Sequence, residues 1–401
     1  MNKKVVLKKP PQGSLRIGHA WIYKNQIKEV LDSASPGDLV DVITETNRFL
    51  GRGYWNPRSE ISIRLLTRQD EPIDKTFIRR ALEKAVAFRK RVVSDTNAYR
   101  VVSSEADALP GLMVDRYGEV LMVQFLTLGM DKMRDWVTEA LNEMLPNRGI
   151  FERSDASSRK LEGLEEKVGW LYKNCPDEGI VYEKDVEMAV RFGAGHKTGL
   201  YLDQRENRFL LRDWQKGGRV LDAFCYEAGF GLHLAKVGCQ VTSVDVQKEP
   251  IRRAEEHRKR NHLKASQLEL KVENVFEALK DYERRKETFD LVILDPPSFA
   301  KQKTALAGAL SGYKEIVIRS MKILKETGVL AVFSCAYHVD ENLLMQVCMR
   351  AAVDCKKNLR VLKFLKQAGD HPINPFISET YYLKGFLLEV SSLSSPHFLI
   401  Q

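Results

Sequence analysis

The 401-residue chain has no run of eighteen or more apolar residues, so no segment is long and apolar enough to cross a membrane as a helix. Its opening, Met1-Asn2-Lys3-Lys4-Val5-Val6, turns polar too early for a signal peptide, and the expectation is a soluble protein of the cytoplasm. Cysteine is scarce as well. Cys175, Cys225, Cys239, Cys335, Cys348 and Cys355 form no CxxC pair and no Cys/His spacing suited to zinc. That argues against a disulfide-stapled scaffold and a metal centre, and the six read as reduced thiols, most of them core residues. No internal repeat or low-complexity tract occurs.

Acid is in deficit: 63 Lys and Arg against 54 Asp and Glu leave a net charge of +9. By region the charge is about +5 over residues 1–70, about −4 over 71–190 and about +8 over 191–401. A basic surplus at both ends suits a nucleic acid held between an N-terminal and a C-terminal module, although basic enzymes without such a partner exist. The length exceeds one ordinary domain and predicts two or three.

Residues 1–72 alternate short apolar runs with the turn signals Pro10-Pro11-Gln12-Gly13, Ser35-Pro36-Gly37-Asp38, Gly51-Arg52-Gly53 and Asn56-Pro57, which predicts a small barrel or sandwich. Gly37–Val42 and Phe49–Tyr54 read as a hairpin that presents basic and aromatic side chains on one side. From Lys75 to Val93 the spacing turns helical, so a central α+β domain is expected over residues 73–190, with a further helix around Lys132–Met144.

Over residues 191–401 the rhythm becomes strand, helix, strand. Apolar, β-branched runs end at Phe224, Asp245, Val272, Asp295 and Phe333 with helical stretches between them, the pattern of a parallel doubly wound α/β sheet. Two last strands joined without room for a crossover helix fit a class I methyltransferase, a Rossmann-like fold, better than a nicotinamide dehydrogenase. The ligand site is expected at the carboxyl ends of the strands.

The first such end, Asp222 to Gly231, brings Asp222, Phe224, Tyr226 and Gly229 to a turn into a helix; with only Gly229 and Gly231 it is weaker than GxGxxG, and the glycines are expected to supply its tightness. The second end offers Asp245, followed by Val246, as an acceptor for ribose hydroxyls. At the third, the carboxamide oxygen of Asn274, beside Val275, is placed to accept from an adenine amino group. NAD would satisfy the first two ends equally. The fourth, Asp295-Pro296-Pro297-Ser298-Phe299, favours methyl transfer, because the rigid prolines aim a carboxylate at a planar target beside the cofactor.

Cys335 closes the fifth strand. A thiolate adding to C6 of a pyrimidine makes C5 nucleophilic toward an electrophilic methyl, with Asp295 gripping N3 and N4 as a general acid. The same thiol also reads as one more buried strand residue; Asp295 upstream and Tyr337-His338 beyond it favour the catalytic reading. His338 is expected to orient the loop or contact RNA.

On these residues the chain resembles the bacterial 23S rRNA cytosine-C5 methyltransferases that carry an N-terminal PUA domain. The resemblance covers nearly the whole chain. Its markers are Glu105 to Leu112, Lys197-Thr198-Gly199-Leu200-Tyr201-Leu202-Asp203-Gln204-Arg205, Asp222 to Gly231, Asp295 to Lys301, Ser334-Cys335 and Gly369-Asp370-His371-Pro372. It implies a PUA-like RNA-binding β-barrel, S-adenosylmethionine as cofactor with Tyr201 and Gln204 against it and Asp295 beside it, Cys335 as nucleophile, and rRNA or a large-subunit precursor as partner, with a homodimer as a candidate assembly. Methylation at another base atom such as guanine N7, or a non-catalytic assembly factor, stand as alternatives. The family turn Cys-Tyr-Thr-Gly-Gly-Phe-Ser is altered here by Glu227 and Ala228, and Ser-Cys-Ser-His-His becomes Ser334-Cys335-Ala336-Tyr337-His338. Glu227 is expected either to contact the cofactor's amino group or to weaken binding. Ser298 stands where another group of RNA cytosine methyltransferases has a second cysteine.

Overall fold

A computed structural model describes residues 3–11, 13–176, 178–193, 200–299 and 303–393. The marker residues Lys197, Thr198, Gly199, Ala300 and Lys301 lie outside the described residues. The chain forms two compact units: Met1–Lys184, Ala189–Leu202 and Gly369–Thr380 make one, and Asp185–Met188, Asp203–Ala368 and Tyr381–Gln401 the other.

In the first unit, β1 (Lys3–Leu7), β2 (Trp21–Ile22), β3 (Ile27–Val30), β4 (Leu39–Ile43), β5 (Phe49–Trp55) and β6 (Ile63–Thr67) form a sheet in the order β2-β6-β5-β4-β1-β3. Only β1 and β4 run parallel. Val40 and Val42 point inward from β4 to meet Val5, Leu7, Ile22, Ile63 and Leu65, following the period of two that puts alternate side chains on one face. The expected hairpin exists as β4 and β5, with Asp41 opposite Arg52. Its expected outward face does not: Arg52 is buried in ion pairs with Asp41 and Asp70, and the Tyr54 hydroxyl donates to the Pro110 carbonyl inside the unit. The reason is that β5 lies between β4 and β6 and is covered, so its polar groups must find partners within the protein.

A second sheet in this unit follows the order β11-β10-β9-β8-β7, from β7 (Ala98–Ser103), β8 (Leu112–Tyr117), β9 (Val120–Phe125), β10 (Gly149–Ser154) and β11 (Lys167–Tyr172). The Lys75–Val92 helix buries Phe77, Ile78, Leu82 and Ala85, as its spacing predicts, and opens at Asp74, whose carboxylate accepts the Phe77 N–H at 2.9 Å. The helix expected around Lys132–Met144 is divided into Leu128–Lys132 and Arg134–Met144, because Met133 leaves helical geometry. Two of the marker segments meet here. Arg89 is paired with Asp107 through both terminal nitrogens and donates to the Asp370 carbonyl at 2.8 Å, and the Asp370 carboxylate accepts the Arg100 N–H at 2.8 Å.

After the two-stranded ribbon β12 (Glu178–Glu183) and β13 (Val186–Arg191), the second unit holds β14 (Arg219–Ala223), β15 (Gln240–Asp245), β16 (Leu268–Val272), β17 (Phe289–Leu294), β18 (Leu324–Ser334), β19 (Lys357–Lys366) and β20 (Lys384–Ser392). Their order is β16-β15-β14-β17-β18-β20-β19. The first five are parallel, and β20 is antiparallel to both its neighbours. The parallel strands are apolar on both sides because helices cover both faces, and Leu221, Val292, Leu294, Leu330 and Val332 pack with Ile316, Val317 and Met321 of the Leu306–Ile323 helix. Strand order reverses at β14, which opens a crevice beyond its carboxyl end. Replacing Asp74 by alanine is expected to lower stability by about 1 kcal/mol through loss of the helix cap, read as an earlier midpoint in denaturant unfolding.

Candidate active site

The turn after β14 takes its shape from residues other than glycine. Phe224, Tyr226 and Ala228 adopt left-handed backbone, with φ of 62°, 52° and 57°. Gly229 and Gly231, expected to provide the tight bend, instead open the Gly229–Lys236 helix. Gly231 is needed for closeness: a Cβ there would stand 2.4 Å from the Ser243 hydroxyl. Each non-glycine residue in the left-handed region costs about 1–2 kcal/mol, and such strain persists only where the surroundings hold it.

Two carboxylates do the holding. Asp222 is buried, and its Oδ2 accepts the Gly231 N–H at 3.0 Å and the Ser243 hydroxyl at 3.2 Å, while its Oδ1 has no hydrogen-bond partner among the described residues. Burial pushes its carboxyl up from 3.8 to about 7, partly opposed by the two donors. Asp245 accepts the Tyr226 N–H through Oδ2 and the Gln247 N–H through Oδ1, both at 2.9 Å. A carboxylate offers about four acceptor positions, so Asp245 retains room for ribose hydroxyls.

Glu227 neither faces outward nor stands alone. It is buried and ion-paired with Arg253 at 3.0 Å, with His257 Nδ1 4.0 Å away, both on the Lys248–Arg260 helix. The altered turn thus brings its counter-charge with it, and the expectation that Glu227 acts on the cofactor is replaced by a structural role.

Asn274 also has a part that was not expected. Its carboxamide oxygen caps the Val275–Arg285 helix, accepting the Phe276 N–H at 2.9 Å, which takes one of its two lone pairs. Its amide N–H₂ and the first-turn amide of Val275 are the hydrogen-bond donors at this strand end. Val246, directly after Asp245, is 62 % exposed and presents an apolar side chain at this edge. Phe224 packs edge-on against Phe276 and Phe299.

At the end of β17, Asp295 accepts the Gln204 amide at 3.0 Å. Asn207 fixes that amide, donating to Gln204 Oε1 at 2.6 Å and to the Lys366 carbonyl at 2.9 Å. Gln204, expected against the cofactor, is buried and orients Asp295. Tyr201 is exposed and belongs to the other unit. Phe299 turns inward onto Tyr313, centroids 5.0 Å apart, which anchors the proline loop.

Cys335 follows β18 directly and is exposed, whereas Cys225, Cys239 and Cys348 are buried with their thiols pushed upward by burial. Leu294 stands opposite Val332 in the parallel pair, so Asp295 and Cys335 leave neighbouring strands at the same edge, roughly 8 Å apart along an ideal sheet. Both act electrostatically on the buried Tyr313 phenol, which burial and these two groups raise. His338 sits edge-on to Tyr337 at 5.2 Å. Lys384 lies opposite Ser334 and is buried, and the Cys335 thiol is among the groups that act on its charge; the sequence reading missed it, although a lone lysine before the apolar run Gly385-Phe386-Leu387-Leu388 was the available signal. Among the described residues no group of three or more His, Cys, Asp or Glu side chains is placed to hold a metal ion.

Fold and strand ends define a class I S-adenosylmethionine-dependent methyltransferase preceded by a PUA-like domain. Comparison with known proteins agrees: residues 5–68 match the PUA-like domain family and residues 164–386 the S-adenosylmethionine-dependent methyltransferases. A protein named ribosomal RNA large subunit methyltransferase I from Tolumonas auensis is 37 % identical over 394 residues, covering 97 % of this chain and 99 % of its own. Its namesake from Shewanella denitrificans is 39 % identical, covering 96 % and 99 %. The solved structure of SMU.776 complexed with SAH shares the fold with a TM-score of 0.81 at 23 % identity, covering 96 % of this chain and 99 % of that one. The chain belongs to the ribosomal RNA large subunit methyltransferase I family. Its cofactor is S-adenosylmethionine.

Two outcomes follow from the turn. Asp222 titrates higher in the folded protein than in the unfolded chain, so its contribution to stability is full below about pH 4 and is lost as pH rises through about 7. Asp222→Asn should flatten that fall, measured as unfolding midpoints across the range. Arg253→Met should cost about 3–5 kcal/mol by stranding the Glu227 charge, and pairing it with Glu227→Gln should restore most of the loss in a double-mutant cycle.

Proposed function

We propose that the protein methylates C5 of a cytidine in 23S rRNA through a transient bond between the Cys335 sulfur and C6 of the base. The observation that carries this reading is the exposed Cys335 at the strand edge beside Asp295, while three other thiols are buried. The curated relatives are named for large-subunit rRNA methylation, which supports rRNA or a large-subunit precursor as substrate and a cytoplasmic site of action. No described helix is long and apolar enough to cross a membrane.

In this reading residues 1–72 are a PUA-like RNA-binding module, 73–190 a central domain and 191–401 the methyltransferase domain. Asp245, Val246, Asn274 and Val275 bind the adenosine part of the cofactor, with Phe224, Tyr226 and Gly229 shaping the turn around the remainder. Asp222 contributes through that turn, and Tyr201 keeps the cofactor-binding part that the resemblance implies. S-adenosylmethionine supplies an electrophilic methyl group. Asp295, steadied by Gln204, grips N3 and N4 of the cytosine and favours protonation at N3. The Cys335 thiolate adds to C6 and the C5=C6 electron pair moves to C5, which would take the methyl as its bond to the sulfonium sulfur breaks and the thioether leaves; the C5 proton then passes to water, the C5–H pair re-forms C5=C6, and the C6–S bond breaks to release the thiolate.

Cys335→Ala should reduce transfer of labelled methyl to 23S rRNA by at least about a hundredfold while leaving cofactor binding by calorimetry intact. Transfer at the wild-type rate, or a label found by nucleotide analysis on a base other than cytosine, would remove the covalent reading.

A further inference from the structure

We propose that Lys384 is the positive charge that holds Cys335 as a thiolate, making it a positioning residue for the nucleophile. The inference rests on the reading of Cys335 as the attacking group. Lys384 opens β20 directly across from Ser334, the last residue of β18, and Cys335 follows without a spacer. Its side chain is 5 % exposed, and its Nζ lies 5.8 Å from the centre of the Tyr381 ring. A ring face stabilises an ammonium only modestly, so a buried lysine gains more from an anion within reach.

Three candidate anions act on its charge. Cys335 is the largest favourable influence on Lys384, ahead of Asp340 and Glu341, and together they oppose the burial that lowers its titration. The two carboxylates have other work: Asp340 accepts the Leu343 N–H at 2.8 Å to cap the Glu341–Cys355 helix, and Glu341 accepts the Tyr381 hydroxyl at 2.8 Å. Lys366, opposite Lys384 on β19, has its Nζ 5.8 Å from the centre of the same Tyr381 ring and adds positive charge to this corner. Asp295 stands one strand away, and Tyr337 and His338 lie beyond the thiol.

An ammonium beside a thiol favours loss of its proton to solvent, because the charged pair is stabilised and the neutral thiol is not. A nucleophile ionised near neutral pH follows. The arrangement also accounts for a lysine at a buried strand start, where an apolar residue would pack without a desolvation cost.

The test is the pH dependence of Cys335 alkylation by iodoacetamide in the full-length protein, followed on the Cys335 peptide by mass spectrometry. In the wild type the midpoint should lie below the ordinary cysteine value of about 8.5. Lys384→Met should raise it by about one unit, slowing alkylation at pH 7 about tenfold, and Lys384→Arg should keep it near wild type. A wild-type midpoint at or above about 8.5 overturns the proposal without any variant, as does a folded Lys384→Met protein that alkylates like the wild type. Alkylation needs no methyl transfer, so this result is independent of whether Cys335→Ala abolishes transfer to rRNA.

Discussion

The buried carboxyl of Asp222 is the point on which the cofactor turn depends. It ties the first turn of the Gly229–Lys236 helix to β14 and β15 by accepting from Gly231 and Ser243, in a space that only glycine at 231 leaves open. With the helix fixed there, the chain between has to cross a short gap, and it does so through left-handed residues at 224, 226 and 228. Asp245 completes the closure by holding the Tyr226 amide. The strain of the turn and the burial of an acid are both offset by the parallel sheet beneath, whose core is among the most fully buried parts of the second unit.

From that anchor the remaining chemistry is arranged by strand order. Placing β17 and β18 side by side on one flank of β14 sends Asp295 and Cys335 out at the same edge. Each is then set by a neighbour from elsewhere in the chain: Gln204 and Asn207 steady Asp295, and Lys384 faces the end of β18. Exposure separates the thiols by chemistry. Burial keeps Cys225, Cys239 and Cys348 protonated and inert, and Cys335 alone among these four stands at the surface.

Glu227 shows how a turn absorbs a departure from its family's pattern. An acid introduced there would repel Asp222 and Asp245, yet Arg253 on the following helix neutralises it inside the protein. The cost of burying the pair is met by their mutual attraction and by a covering that excludes water. The turn keeps its shape by a partner some distance along the chain, which no local pattern announces.

The parallel strands, their helices and the antiparallel close were legible in the sequence, because β-branched apolar runs bounded by turn signals have few other ways to bury themselves. The places of Asp245, Asp295 and Cys335 at strand ends were legible too, since polar groups at the ends of such runs fall at one edge of the sheet. Other roles were not. Asn274 is drawn into a local helix cap by the Phe276 N–H two residues on, while Gln204 is claimed by Asp295, and Arg52 and Tyr54 by the interior, each of these three because a hydrogen-bond or ion-pair partner farther along the chain takes the side chain. Sequence by itself determined which elements form and which residues reach the strand ends, as these follow from periodicity and local turn chemistry. Tertiary structure alone decided which polar groups face each other there, because pairing depends on strand order and burial.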